Sequence, residues 1–137
     1  MNAEMRIVVV LNKAYALERL TSALGHVCAG LGASQGRESM SLVEYRDQGG
    51  QTYPNISDYS VIILRGGAGQ IRTFWDAIKG FDRPRAAYTS TMFEGGSTVQ
   101  QAVTLTTPTA DVELIAVATL GTREELDHLT KKFSLWR

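Results

Sequence analysis

One cysteine, Cys28, leaves the chain no internal disulfide to form, so a disulfide-framed scaffold is excluded. No cysteine–histidine cluster has zinc spacing, and neither a metal nor a cofactor is expected. An excess of one charge is missing too. Fourteen Lys and Arg balance fourteen Asp and Glu, which removes the whole-molecule basic field usual in nucleic-acid binders. Nucleic acid is therefore not the expected partner, and only a local basic patch would bring RNA back. Every apolar run is strand-length, which excludes a membrane-spanning helix. The N-terminus has no signal-peptide cleavage pattern, and a cytoplasmic protein is expected.

What is there reads as one soluble domain over residues 1–137, long enough to bury a core. Arg6-Ile7-Val8-Val9-Val10-Leu11 is an unbroken β-branched run, the pattern of a strand covered on both faces. Beyond Asn12-Lys13, Leu17, Leu20, Leu24, Val27 and Leu31 recur at helical spacing. Arg19, Ser22, Ala23, His26, Ala29 and Gly30 lie across from that stripe, a small-residue side that another surface could approach closely. Cover on both sides of the helix is expected, with Gly30, Gly32 and Gly36 ending it.

Residues 39–45 read as a second strand, 46–50 as a turn, and 51–53 as a short returning arm stopped by Pro54. Ser60 to Arg65 is a third strand, Gln70 to Gly80 a helix striped by Ile71, Phe74, Trp75 and Ile78, and Arg85 to Thr89 a strand. Thr91 to Thr107 is the least legible part, with a Gly-Gly hinge and a short polar helix or loop over 97–101. Val112 to Leu120 reads as a strand near the sheet centre. Thr122 and Glu125 form a capping box for a helix over 123–130, and the aromatic tail through Phe133 and Trp136 is expected to dock into a groove. Strand–helix alternation predicts an α/β domain with helices on both sides of a central sheet.

His26 is the sharpest candidate for chemistry, an acid/base group that titrates near neutral pH, on the helix leaving a buried strand. The plain alternative is a structural histidine bonded to a carbonyl or held in a subunit contact. Cys28 falls on the leucine side and reads as an inert buried thiol. Gly66-Gly67-Ala68-Gly69 sits between strand and helix, where phosphate-binding turns occur. It lacks G-x-G-x-x-G spacing and a Walker lysine, so a backbone role is favoured. Thr89-Ser90-Thr91-Met92 with Glu94-Gly95-Gly96-Ser97-Thr98 gathers hydroxyls and one carboxylate after a strand, a placement that lines sites in many proteins and also suits a polar surface loop. Candidate ligand contacts are Asn12, Arg19, Ser22, Thr91, Glu94 and Thr98.

The helix around Ala23-Leu24-Gly25-His26 and the closing Leu129-Thr130-Lys131-Lys132-Phe133-Ser134-Leu135-Trp136-Arg137 resemble the DUF2000 family of uncharacterised bacterial proteins, related in fold to type 2 peptidyl-tRNA hydrolases. The hydrolase helix reads roughly G-K-x-A-A-Q-x-x-H-A. Here His26 matches the histidine, while Arg19, Ala23 and Val27 replace the lysine, the glutamine and the final alanine. The hydrolase D-A-G-x-T segment has a loose echo in Glu94 to Thr98. The ending v-T-g-h-L-k-L is similar to Leu129 to Leu135, keeping Thr130 and Leu135. The resemblance implies a three-layer α/β/α domain around a mixed sheet, with the hydrolase topology. Because the motif residues are mostly replaced, it does not imply the activity.

Three readings follow. The first is a homodimeric or higher homo-oligomeric binding or regulatory module that holds a small ligand near His26. The second is a hydrolase-like enzyme with His26 as general acid/base, oriented by Glu94, and Thr91 or Thr98 on substrate. The third, an RNA binder, requires Arg6, Lys13, Arg19 and Arg65 on one face.

Overall fold

The β-branched run near the start of the chain becomes the middle strand of a five-stranded sheet. The structure is a computed structural model, and it describes residues 4–136. Its elements are β1 (Met5–Asn12), α1 (Leu17–Ser39), β2 (Leu42–Arg46), β3 (Thr52–Ser57), β4 (Ser60–Gly66) and α2 (Ala68–Lys79). There follow β5 (Arg85–Thr89), α3 (Ser97–Leu105), β6 (Leu114–Thr122), α4 (Arg123–Leu129) and β7 (Ser134–Leu135). The sheet order is β5-β6-β1-β4-β7. β1 runs parallel to β4 and antiparallel to β6, and the outer pairs are antiparallel, so this is a mixed α/β fold.

Because side chains alternate across a strand, β1 feeds two cores. Ile7, Val9 and Leu11 pack with Leu20, Ala23, Val27 and Leu31 of α1. Val8 and Val10 pack with Ile71, Phe74 and Ile78 of α2 and Leu126 of α4. β6 sits beside β1, and all of it from Leu114 to Gly121 is buried, matching its continuous apolar sequence.

The first helix departs from its sequence reading in two ways. It does not stop at Gly30 or Gly32 but runs to Ser39, kinking at Gly36, whose φ of 82° lies in the left-handed region glycine favours. Its buried stripe includes Ala23, while Leu17 is 52% exposed. Ser22, His26, Ala29 and Gly30 face solvent, so within this chain α1 is covered on one side only.

The helix also takes up Ser39, so β2 starts at Leu42. β2 and β3 form a separate two-stranded sheet. β3 runs through Pro54, which falls with Asn55 (φ 65°) at an irregularity in the ladder where no bonded partner is needed.

The tail docks, though as an added edge strand rather than in a groove. β7 adds to the outer edge of β4, and the Trp136 backbone N–H donates to the Ile63 carbonyl at 3.0 Å. Phe133 meets Phe74 edge-on at 5.7 Å. A Cβ on Gly66 would overlap the Phe133 ring, which gives the glycine-rich turn a packing reason. At α4 the Thr122–Glu125 box is made: Glu125 N–H donates to Thr122 Oγ1 at 3.3 Å, and Thr122 N–H to Glu125 Oε2 at 3.2 Å.

Candidate functional site

β1 ends in Asn12, a side chain with no exposed surface. A buried amide must be bonded, and this one is. Its Nδ2 donates to Leu114 O and Glu113 Oε1, both at 3.1 Å, and its Oδ1 accepts from Ala14 N–H at 3.0 Å. The other Glu113 oxygen accepts the Tyr15 phenol at 2.7 Å. Burial first, and then the bond to the Glu113 carboxylate, hold the Tyr15 pKa above its usual value, so the phenol remains a donor. Ser90 completes the joint: its N–H donates to Glu113 O at 2.8 Å, and its Oγ accepts from Glu113 N–H at 3.2 Å. Asn12 thus ties the end of β1 to the start of β6.

From Tyr15 a row of rings runs along α1. Centroids are 5.6 Å apart for Tyr15–Phe93, 5.4 Å for Phe93–Tyr88 and 5.5 Å for Tyr88–His26. The Arg19 guanidinium lies 4.2 Å from the Phe93 centroid, a cation–π contact. At about 100° per residue, Arg19, His26 and Gly30 share one flank of α1, bordering the inward-facing Ala23.

That flank opens onto a groove of about 590 Å³ between His26 and Gly30 of α1, Ala86 and Tyr88 of β5, and Ser97 and Gln100 of α3. The Gln100 Nε2 donates to Met92 O at 2.9 Å and Gly95 O at 2.8 Å, leaving its Oε1 for another partner. Among the described residues, no hydrogen bond or ion pair joins His26 to a carboxylate. Thr91 bonds Thr89 Oγ1 at 2.7 Å and Thr104 Oγ1 at 2.6 Å.

A family model for DUF2000, described as a protein of unknown function, matches residues 5–137. The chain belongs to the DUF2000 family. A solved protein of unknown function from Agrobacterium tumefaciens strain C58 has the same fold: TM-score 0.83, 19% identity, and 98% of each chain covered. No curated protein matches.

In this DUF2000 chain the seven candidate residues separate. His26 and Arg19 lie along one strip, with Asn12 buried at its far end. Thr91 anchors α3 to the end of β5. Ser22 is exposed on another side of α1, and Glu94 and Thr98 are exposed and do not line the groove. The four cations of the RNA reading do not share a face. Arg6 pairs with Asp127 at 3.3 Å and Glu4 at 3.5 Å at the start of β1, whereas Lys13 follows its other end.

Tyr15, Tyr88, Phe93, Gln100 and Glu113 were not singled out from the sequence. Glu113 had a readable signal, a lone carboxylate at the mouth of a continuous apolar strand. Phe93 and Gln100 had none, since their roles depend on how the turn after β5 sets Phe93 against α1 and holds α3 beside it.

Proposed function

We propose that this DUF2000 protein is a small-ligand-binding or regulatory module without peptidyl-tRNA hydrolase activity, its ligand held in the groove walled by His26. The carrying observation is the state of that wall. The exposed His26 ring borders a largely apolar groove beside the Ser97 hydroxyl and the Gln100 Oε1, and neither ring nitrogen, nor that hydroxyl, nor that oxygen has a partner among the described residues. A few converging polar groups on apolar walls suit a small ligand. General acid/base work would use a partner that orients the imidazole. The Glu113 carboxylate, at the other end of the aromatic row, is engaged by Asn12 and Tyr15.

The same reading takes the fold as a three-layer α/β/α sandwich of the type 2 hydrolase kind. Support comes from the two cores, one under α1 and one under α2 and α4. It also makes the protein a cytoplasmic homo-oligomer. Self-association is supported by α3, where Val99, Val103 and Leu105 are 57%, 48% and 87% exposed in a stretch, 95–110, without a charged side chain. A molar mass in solution equal to one chain would remove that part.

The groove is tested by a ¹⁵N NMR screen of small polar aromatic fragments. A Cβ at Gly30 meets nothing within 4 Å, so Gly30→Trp should fill the groove and leave the fold intact. Hits should shift His26, Tyr88 and Ser97 and vanish in Gly30→Trp. Hits indifferent to that variant would discard the site, and His26-dependent turnover of peptidyl-tRNA would replace the module by an enzyme.

A further inference from the structure

On the other core, away from His26, the tail folds over α2 and leaves a second groove of about 460 Å³. This is within the roughly 300–1,000 Å³ of small-molecule sites. Its apolar surface comes from Phe74, Phe133, Ala77 and Leu129, and its rim from His128, Lys131 and Lys132. No Asp or Glu is among the lining residues, although acids and bases are equal in number over the whole chain. Nor are the three basic side chains neutralised by one another's neighbours. Among the described residues they enter no ion pair; of the three α4 acids, Asp127 and Glu125 are engaged by Arg6, Arg123 and Arg83, and Glu124 borders a different depression beside Glu4 and Arg123.

The closing lysines of a helix do suit its dipole, but that effect acts at the helix end and does not account for an apolar wall kept free of acids. The groove is also pre-built. Gln70 accepts from Gly67 N–H at 3.0 Å and donates to Lys132 O at 3.4 Å, linking α2 to the tail, and the Phe74–Phe133 contact closes its base.

We infer that this groove binds a small amphipathic anion, an aliphatic or aromatic body against Phe74 and Phe133 with a carboxylate or phosphate head between Lys131 and Lys132. Burial of the body supplies the apolar term, and the paired lysines supply orientation and a salt-dependent contribution. The site is independent of the His26 groove.

The experiment titrates decanoate, below its micelle concentration, into the full chain and follows ¹⁵N chemical shifts, with decanol as the uncharged control. Decanoate should perturb Thr73, Ala77, Leu129 and Lys132. It should bind at least tenfold more tightly than decanol, and at least tenfold more weakly to the Lys131→Glu, Lys132→Glu double variant. Thr73, Lys131 and Lys132 are exposed, so Thr73→Trp should block the groove with an unchanged thermal melt, and Gly30→Trp should leave decanoate binding as it was. Undiminished binding by the double variant, decanol binding equal to decanoate, or shifts confined to the His26 groove would overturn the inference. So would failure to bind decanoate at all, and co-sedimentation on phosphatidylglycerol vesicles in that case would make the patch a membrane contact.

Discussion

α2 and α3 begin alike, each opening just after a glycine pair, yet they are held by different forces. α2 buries Ile71, Phe74 and Ile78 against the sheet. α3 buries nothing. Its hold on the domain is polar: the Gln100 amide on two carbonyls, and the hydroxyl chain Thr89–Thr91–Thr104. A nine-residue helix is marginal on its own in water, so these bonds decide whether α3 keeps its place. The difference separates scaffold from site. The helix fixed by burial supports the sheet, while the helix fixed by a few hydrogen bonds walls the His26 groove and is expected to open locally at less cost than the sheet.

Breaking the apolar side should cost most. Phe74→Ala should lower global stability by about 3–5 kcal/mol, with Phe133→Ala costing roughly half as much because that ring is only partly buried. Equal denaturant midpoints for wild type and Phe74→Ala would mean that α2 is not the anchor described.

Breaking the polar side should act locally. Gln100→Ala removes two bonds of about 1 kcal/mol each. Hydrogen exchange should accelerate in α3 while the slowest-exchanging amides of β1 and β6 stay as they were. Global unfolding at lower denaturant, with α3 and the sheet shifting together, would erase the contrast.

α4 falls between the two, with buried Leu126 and a polar cap. The Arg83 guanidinium, 2.6 Å from Glu125 Oε1, is the main cause holding that carboxyl below its usual pKa, with the Thr122 bonds adding to it. A depressed folded-state pKa contributes stability that is present above the unfolded value, about 4.3, and is lost as pH falls through the folded one. Melting temperature should therefore drop on acidification below that range, and drop less in Arg83→Ala. The pair is partly exposed, so the effect should be smaller than that of Gln100→Ala. Identical acid limbs for the two proteins would assign the loss elsewhere. Smallest of all for the single chain, Val103→Gln on the exposed face of α3 should change stability by less than about 0.5 kcal/mol where the protein is dilute enough to be monomeric. In urea unfolding the loss should grow with protein concentration, and a concentration-independent result would remove α3 as the self-association surface.

The same division explains what could be read before the structure. β1, β4, β6 and α2 are written in apolar periodicity, which reports burial directly, and the Thr122–Glu125 box is a local code. The end of α1 was misread because Gly30 and Gly32 stand in open space inside a helix, where nothing but a modest propensity cost opposes them. Only Gly36, with its positive φ, turns the chain. α3 was legible as no more than a short polar piece over 97–101, since its Thr and Gln side chains act through partners that the fold brings near. At the site, His26 and Arg19 could be proposed from their shared side of the helix, although Arg19 replaces the hydrolase lysine. The aromatic row through Phe93 and Tyr88 exists only once α1, β5 and the turn that follows β5 have met.

The pairing of Leu64 with Leu135 has a bearing on synthesis as well as on packing. An uncovered strand edge is a template for unwanted pairing, and on a growing chain the outer edge of β4 waits while residues 67–133 are made before β7 arrives to cover its second half. Until then the nascent protein carries a sticky flank built from the β-branched Val61-Ile62-Ile63. Chains that lose β7 should therefore fail first by co-aggregation during expression, before any loss of function can be measured in what remains soluble.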